Sequence, residues 1–110
     1  MSREDFVKAD GSGRYEFAVD MTDSLCTYDL SFYTRLDGRD APSGFPIKIY
    51  LTSPSGQTYV ESVYYDCSKG VRVPYRTGLV PVEYGEWILS VSADPAGMCG
   101  LGLITSRTTI

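Results

Sequence analysis

A chain of 110 residues, 43% hydrophobic and 22% charged, is long enough for one compact domain and too short for two. Ten Lys and Arg are scattered among 14 Asp and Glu, for a net charge of −4, so there is none of the basic stripe a nucleic-acid binder shows. Histidine is absent, which removes Ser-His and Cys-His nucleophile pairs, histidine general bases and imidazole zinc ligands together.

Residues 1–13 are polar, close on Gly11-Ser12-Gly13, and read as a leading segment to a single domain over 14–110. Period-two alternation begins at Tyr15, Phe17 and Val19 and returns at Tyr28, Leu30, Phe32 and Thr34. It recurs at Ile47, Ile49 and Leu51, from Tyr59 through Tyr65, at Val71, Val73 and Tyr75, at Trp87, Leu89 and Val91, and at Leu101 and Leu103. Each such run predicts a strand with one apolar face. Turn formers separate them: Asp37-Gly38, Pro42-Ser43-Gly44, Pro54-Ser55-Gly56, Ser68-Lys69-Gly70, Tyr84-Gly85 and Asp94-Pro95-Ala96-Gly97. No window shows capped helical periodicity, and no apolar stretch approaches the ~20 residues of a membrane-spanning helix. The first ten residues are too polar for a signal peptide. About seven short strands with apolar faces predict an all-β, two-sheet antiparallel sandwich, Ig-like or jelly-roll-like in strand order, with almost no helix.

If every connection returns the chain across the sandwich, the loops sort into two ends by parity. One end collects the segments around Asp20 to Cys26, Ser53 to Gly56 and Arg76 to Gly85, and the other collects Asp37 to Pro46, Asp66 to Gly70 and Asp94 to Met98. Cys67 and Cys99 then share an end and form the candidate disulfide, Cys26 being at the opposite one. The alternative is three small buried hydrophobes. No CxxC spacing suggests a zinc knuckle or a redox pair.

The same end gathers Asp37, Asp40, Asp66 and Asp94 as candidate calcium ligands, although turn chemistry is the simpler explanation of Asp there, Arg39 and Lys69 sit among them, and no EF-hand spacing is present. Tyr64 and Tyr65 are adjacent and point to opposite faces if they lie in a strand. An exposed one is a candidate sugar platform or interface anchor. Arg35, which closes the second predicted strand, is a candidate anion contact, its plainer role being to pair a carboxylate or cover a turn. Trp87 alternates with Leu89 and Val91 and reads as core. Nothing selects two of 14 acids as a glycosidase pair.

The runs FAVDMTDSLCTYDLSFYTRLD, PIKIYLTSPSG, GEWILSV and GLGLI together resemble the GldH family of gliding-motility lipoproteins of Bacteroidetes, over about residues 15 to 104. In that resemblance Tyr28 and Arg35 occupy the family's second strand and Pro54 and Gly56 its hairpin. Gly85 and Trp87 fall in its penultimate strand, and Gly100 and Gly102 in its closing strand. The lipobox cysteine is not in this sequence, and KGVRVPYRTGLVPVEYG stands where the family carries a glycine-rich segment. The resemblance implies an outer-membrane lipoprotein facing the periplasm, touching the membrane only through an N-terminal lipid anchor. That compartment permits disulfides.

The expectation is a non-enzymatic module, without cofactor or nucleic-acid partner, that docks onto envelope proteins. The alternative is a carbohydrate-binding module that takes a glycan on an exposed tyrosine, with calcium holding its acidic loops.

Overall fold

The computed structural model describes residues 2–36, 43–67, 72–93 and 98–110. It contains eight strands, β1 (Ser2–Lys8), β2 (Arg14–Met21), β3 (Cys26–Leu36), β4 (Gly44–Thr52), β5 (Thr58–Asp66), β6 (Arg72–Leu79), β7 (Gly85–Ser92) and β8 (Met98–Thr109). They form two four-stranded antiparallel sheets in the orders β1-β8-β3-β6 and β2-β7-β4-β5. The pairs β4·β5, β3·β6, β2·β7 and β1·β8 are nested about one central hairpin, as in a long ribbon folded at its middle and then rolled. This is the strand order of a jelly roll, which decides between the two expected topologies. Every connection except the β4–β5 hairpin passes from one sheet to the other.

All seven expected strands are present. The eighth, β1, lies in the segment expected to be a polar leader, and it pairs with β8 over seven residues. Its two apolar residues, Phe6 and Val7, are consecutive and so face opposite sides. Only Val7 packs against the core, so an edge strand of this kind leaves no alternation to read.

The core fills from both inner faces. Phe17 and Val19 of β2, Tyr28, Leu30 and Phe32 of β3, Ile47 and Ile49 of β4, Trp87, Leu89 and Val91 of β7, and Leu101 and Leu103 of β8 are all buried, while Glu16, Ala18 and Asp20 between them are exposed. Buried Tyr28 also pins the β2–β3 turn. Its hydroxyl donates to the Asp23 carbonyl and accepts from the Asp23 N–H, both at 2.9 Å.

The Gly-Leu-Gly-Leu run of β8 has a packing explanation. On the outer face, a β-carbon on Gly102 would lie 2.1 Å from the Tyr33 ring, and one on Gly100 would lie 2.5 Å from the Phe6 ring. The bare strand lets the two rings lie on it, stacked with centroids 5.8 Å apart, while Leu101 and Leu103 point into the core.

Candidate docking surface

Registers within the two sheets place the turns 22–25, 53–57 and 80–84 at one end of the roll, with Ile110 and the start of β1. That is the loop grouping expected from parity. The β4–β5 turn forms because Pro54 supplies a fixed φ after Ser53, and Gly56, at φ 95°, takes the left-handed position that closes it. The Gly56 N–H donates to the Ser53 carbonyl at 2.9 Å, and the Ser53 N–H to that of Gln57 at 2.7 Å.

The 80–84 turn is clamped onto that hairpin. The Glu83 carboxylate accepts from the Ser55 N–H at 3.1 Å and from the Ser55 hydroxyl at 2.8 Å, and these bonds hold its carboxyl below the usual range. The Trp87 indole N–H donates to the Glu83 carbonyl at 2.9 Å. Gly85 follows at φ 150°, where a β-carbon would meet Pro54 at 2.7 Å. The close approach of the two turns therefore requires glycine there.

Between the sheets, just inside this end, lies an apolar slot of about 180 Å³. Met21, Leu30, Leu51, Leu79 and Trp87 line it, with Tyr59, Val80 and Val82 at its exposed rim. The Tyr59 ring tilts on Trp87 with centroids 6.1 Å apart. Around the slot the end is unusually apolar: Val82 is 77% exposed, Leu25 68% and Val80 58%, and Tyr59, Tyr84 and Ile110 are exposed as well. The Ile110 N–H donates to the Leu25 carbonyl, so the C-terminus joins this surface.

Among the described residues, Arg76 is the one charged residue lining the slot. Register shifts between β3 and β6 place it beside Tyr75, with its guanidinium carbon 4.3 Å over the Tyr75 ring. Gly78 sits at one shift, at φ 64°, and its N–H donates to the Asp29 carboxylate at 2.7 Å. Across the gap between the sheets, Glu61 of β5 accepts from Arg76 at 2.5 Å and from the Tyr75 hydroxyl. Burial pushes the Glu61 carboxyl up, but hydrogen bonds from Tyr75 and Arg76 outweigh it and hold the group below its usual range. Burial, reinforced by the bond to Glu61, raises the Tyr75 phenol. This clasp closes the open edge of the sandwich beside the slot.

The expected site residues are dispersed. Tyr64 is 63% exposed on the outer face of β5, its ring against Gly44. Tyr65 is buried and stacked on Phe45 at 5.0 Å, and burial pushes its phenol up to about 12. Tyr65 is thus a core residue, and only Tyr64 presents a ring at the surface. Arg35 is exposed on the opposite sheet, opposite Gly100 in the register. Asp66 ends β5 opposite Gly44, whereas Asp37, Asp40 and Asp94 lie outside the described residues. Among the described residues no cluster of three metal-ligating side chains occurs.

All three cysteines carry thiols rather than a disulfide. Cys67 and Cys99 do share an end, but Cys67 follows edge strand β5, whose clasp joins it to β6, and Cys99 lies in β8, two places along from β6. Parity fixes the end of the sandwich but not the position across it.

The apolar end was missed in the sequence because Val80-Pro81-Val82 continues the alternation of β6 past its last paired residue in the same phase: Leu79 and Pro81 face in, so both valines face out. Two valines inside a turn segment were the available signal. Comparison with protein-family models, with curated proteins and with solved structures finds no match for the chain.

Proposed function

We propose that the chain is a non-enzymatic interaction module that docks onto envelope proteins through the apolar end of the jelly roll. The observation that carries this reading is the concentration of Leu25, Val80, Val82 and Tyr84, all exposed, around a slot lined by Trp87. Exposed aliphatic and aromatic side chains grouped at a rigid rim are the anchors a protein partner buries. The clamp from Glu83 to Ser55 holds that rim in one shape before binding, which lowers the ordering cost of association.

The GldH-like motifs supply the envelope address. Ser2 opens β1 at the same end, so a lipid anchor ahead of that strand would carry the apolar surface toward the membrane, where envelope partners sit. Crosslinking in envelope extracts tests the reading. The wild-type chain is expected to capture one dominant envelope protein through residues 22–25 or 80–84, and Val82→Asp to lose it. Capture unchanged by Val82→Asp, or label spread evenly over the roll, counts against it.

A glycan-binding reading draws on Tyr64, whose exposed ring lies on the same outer sheet face as the half-buried Tyr50. It requires a glycan-array signal that Tyr64→Ala abolishes. A melting temperature that rises with calcium and falls with chelator would add the metal to that reading.

A further inference from the structure

The two sheets have four edges, β1 and β6 in one and β2 and β5 in the other. Three carry devices that discourage strand pairing. Pro74 and two register shifts interrupt β6. Arg3, Glu4, Asp5 and Lys8 crowd β1, and Arg14, Glu16 and Asp20 line the outward face of β2. The β5 edge has none of these. It pairs with β4 over nine residues without a shift, it contains no proline, and its outward residues Thr58, Val60, Ser62 and Tyr64 are uncharged, with Asp66 at its very end the one exception. Glu61 alternates inward and is held by Tyr75 and Arg76.

We infer that β5 pairs antiparallel with β5 of a second copy of this chain, joining two four-stranded sheets into one of eight strands. The strand is self-complementary. Ser62 is the midpoint of Thr58–Asp66, so a two-fold axis there overlaps the whole strand with itself. Val60 of each copy then faces Tyr64 of the other, an aliphatic–aromatic cross-strand pair. Val60 and Tyr64 are 52% and 63% exposed, and both lose water in the pairing. Glu61 faces Val63 of the other copy, which keeps the two carboxylates off directly opposed positions. No charge repels across the outward face until Asp66, which meets Thr58. This surface runs along the sheet edge and meets the apolar end only at Tyr59.

One strand pair buries less than the ~1,200 Å² of a standard interface, so association is expected between about 10 µM and about 1 mM. Sedimentation velocity over that range should show a mass rising from 12.1 kDa toward twice that value. Val60→Lys with Tyr64→Lys should stay monomeric with an unchanged circular-dichroism spectrum. Register is read by oxidative crosslinking, with the oxidised wild type as blank. Ser62→Cys should give a covalent dimer joined through position 62, because residues opposed at the axis have Cα atoms ~5 Å apart. Val60→Cys should not, its two copies being about 13 Å apart along the strands. A monomeric wild type at the highest concentration overturns the inference. So does a doubly charged variant that still associates, equal crosslinking at both positions, or a chain that pairs only with an added foreign strand.

Discussion

Tyr33 of β3 lies flat against Gly102 of β8, closer than any β-carbon on that glycine would allow. The contact turns a glycine pair in the closing strand into a statement about the outer face. The ring of Tyr33, stacked with Phe6 from β1, covers backbone that would otherwise be bare, and it ties the edge strand to the middle of the sheet.

Gly102→Ala must push the Tyr33 ring off the strand, and overpacking of this kind costs about 1–3 kcal/mol. In a Tyr33→Ala background the same substitution meets open space, and most of that cost is expected to vanish. Urea denaturation of the four proteins of this double-mutant cycle measures it. Equal costs in both backgrounds would show that the ring is not what the glycine accommodates.

Two buried tyrosines separate hydrogen bonding from packing. The Tyr28 hydroxyl serves both main-chain polar groups of Asp23, so Tyr28→Phe leaves the Asp23 N–H unmatched and its carbonyl with only the longer bond from the Cys26 N–H, and is expected to cost about 1–3 kcal/mol. The Tyr65 hydroxyl is buried with no hydrogen-bond partner among the described residues, so Tyr65→Phe is expected to change stability by less than about 0.5 kcal/mol or to raise it. Thermal melts of the two variants should rank them in that order.

The legible part of this fold is the part governed by a single periodicity. Seven strands each bury one face against a common core, and Phe17, Leu30, Ile49, Leu89 and Leu101 announce it by alternating with polar neighbours. Strand β1 has no such signature, because it contributes backbone to a sheet edge and little to the core. Strand order was hidden for a different reason: alternation states which way a side chain points but not which strand lies beside it. Parity therefore assigns Cys67 and Cys99 to one end and is silent on how far apart they lie across it. The apolar end stayed hidden because Val80 and Val82 mimic a continuing strand, whereas the burial phase of β6 runs on unchanged, with Leu79 and Pro81 inward and the two valines outward.

The clasp predicts acid sensitivity. Glu61 titrates below its ordinary value of 4.5 when folded, so the unfolded chain binds its proton more readily than the folded one. The stabilisation is therefore complete above that unfolded value and is lost as pH falls through it and past the folded value. Glu61→Gln is expected to melt lower than wild type at neutral pH and to lose less on acidification, so that the two curves converge. Melting temperatures measured from about pH 7 to about pH 2 give the comparison, and parallel curves would remove Glu61 from the account.

Everything functional here turns on the apolar end being the surface a partner covers. Hydrogen exchange of the chain, alone and bound to the envelope protein it captures, measures this directly. The account predicts that slowed exchange concentrates in residues 22–25 and 80–84 and at the Trp87 indole, with the outer faces of both sheets unchanged. Protection centred instead on the outer face around Tyr50 and Tyr64, with the 80–84 turn exchanging as before, would contradict it.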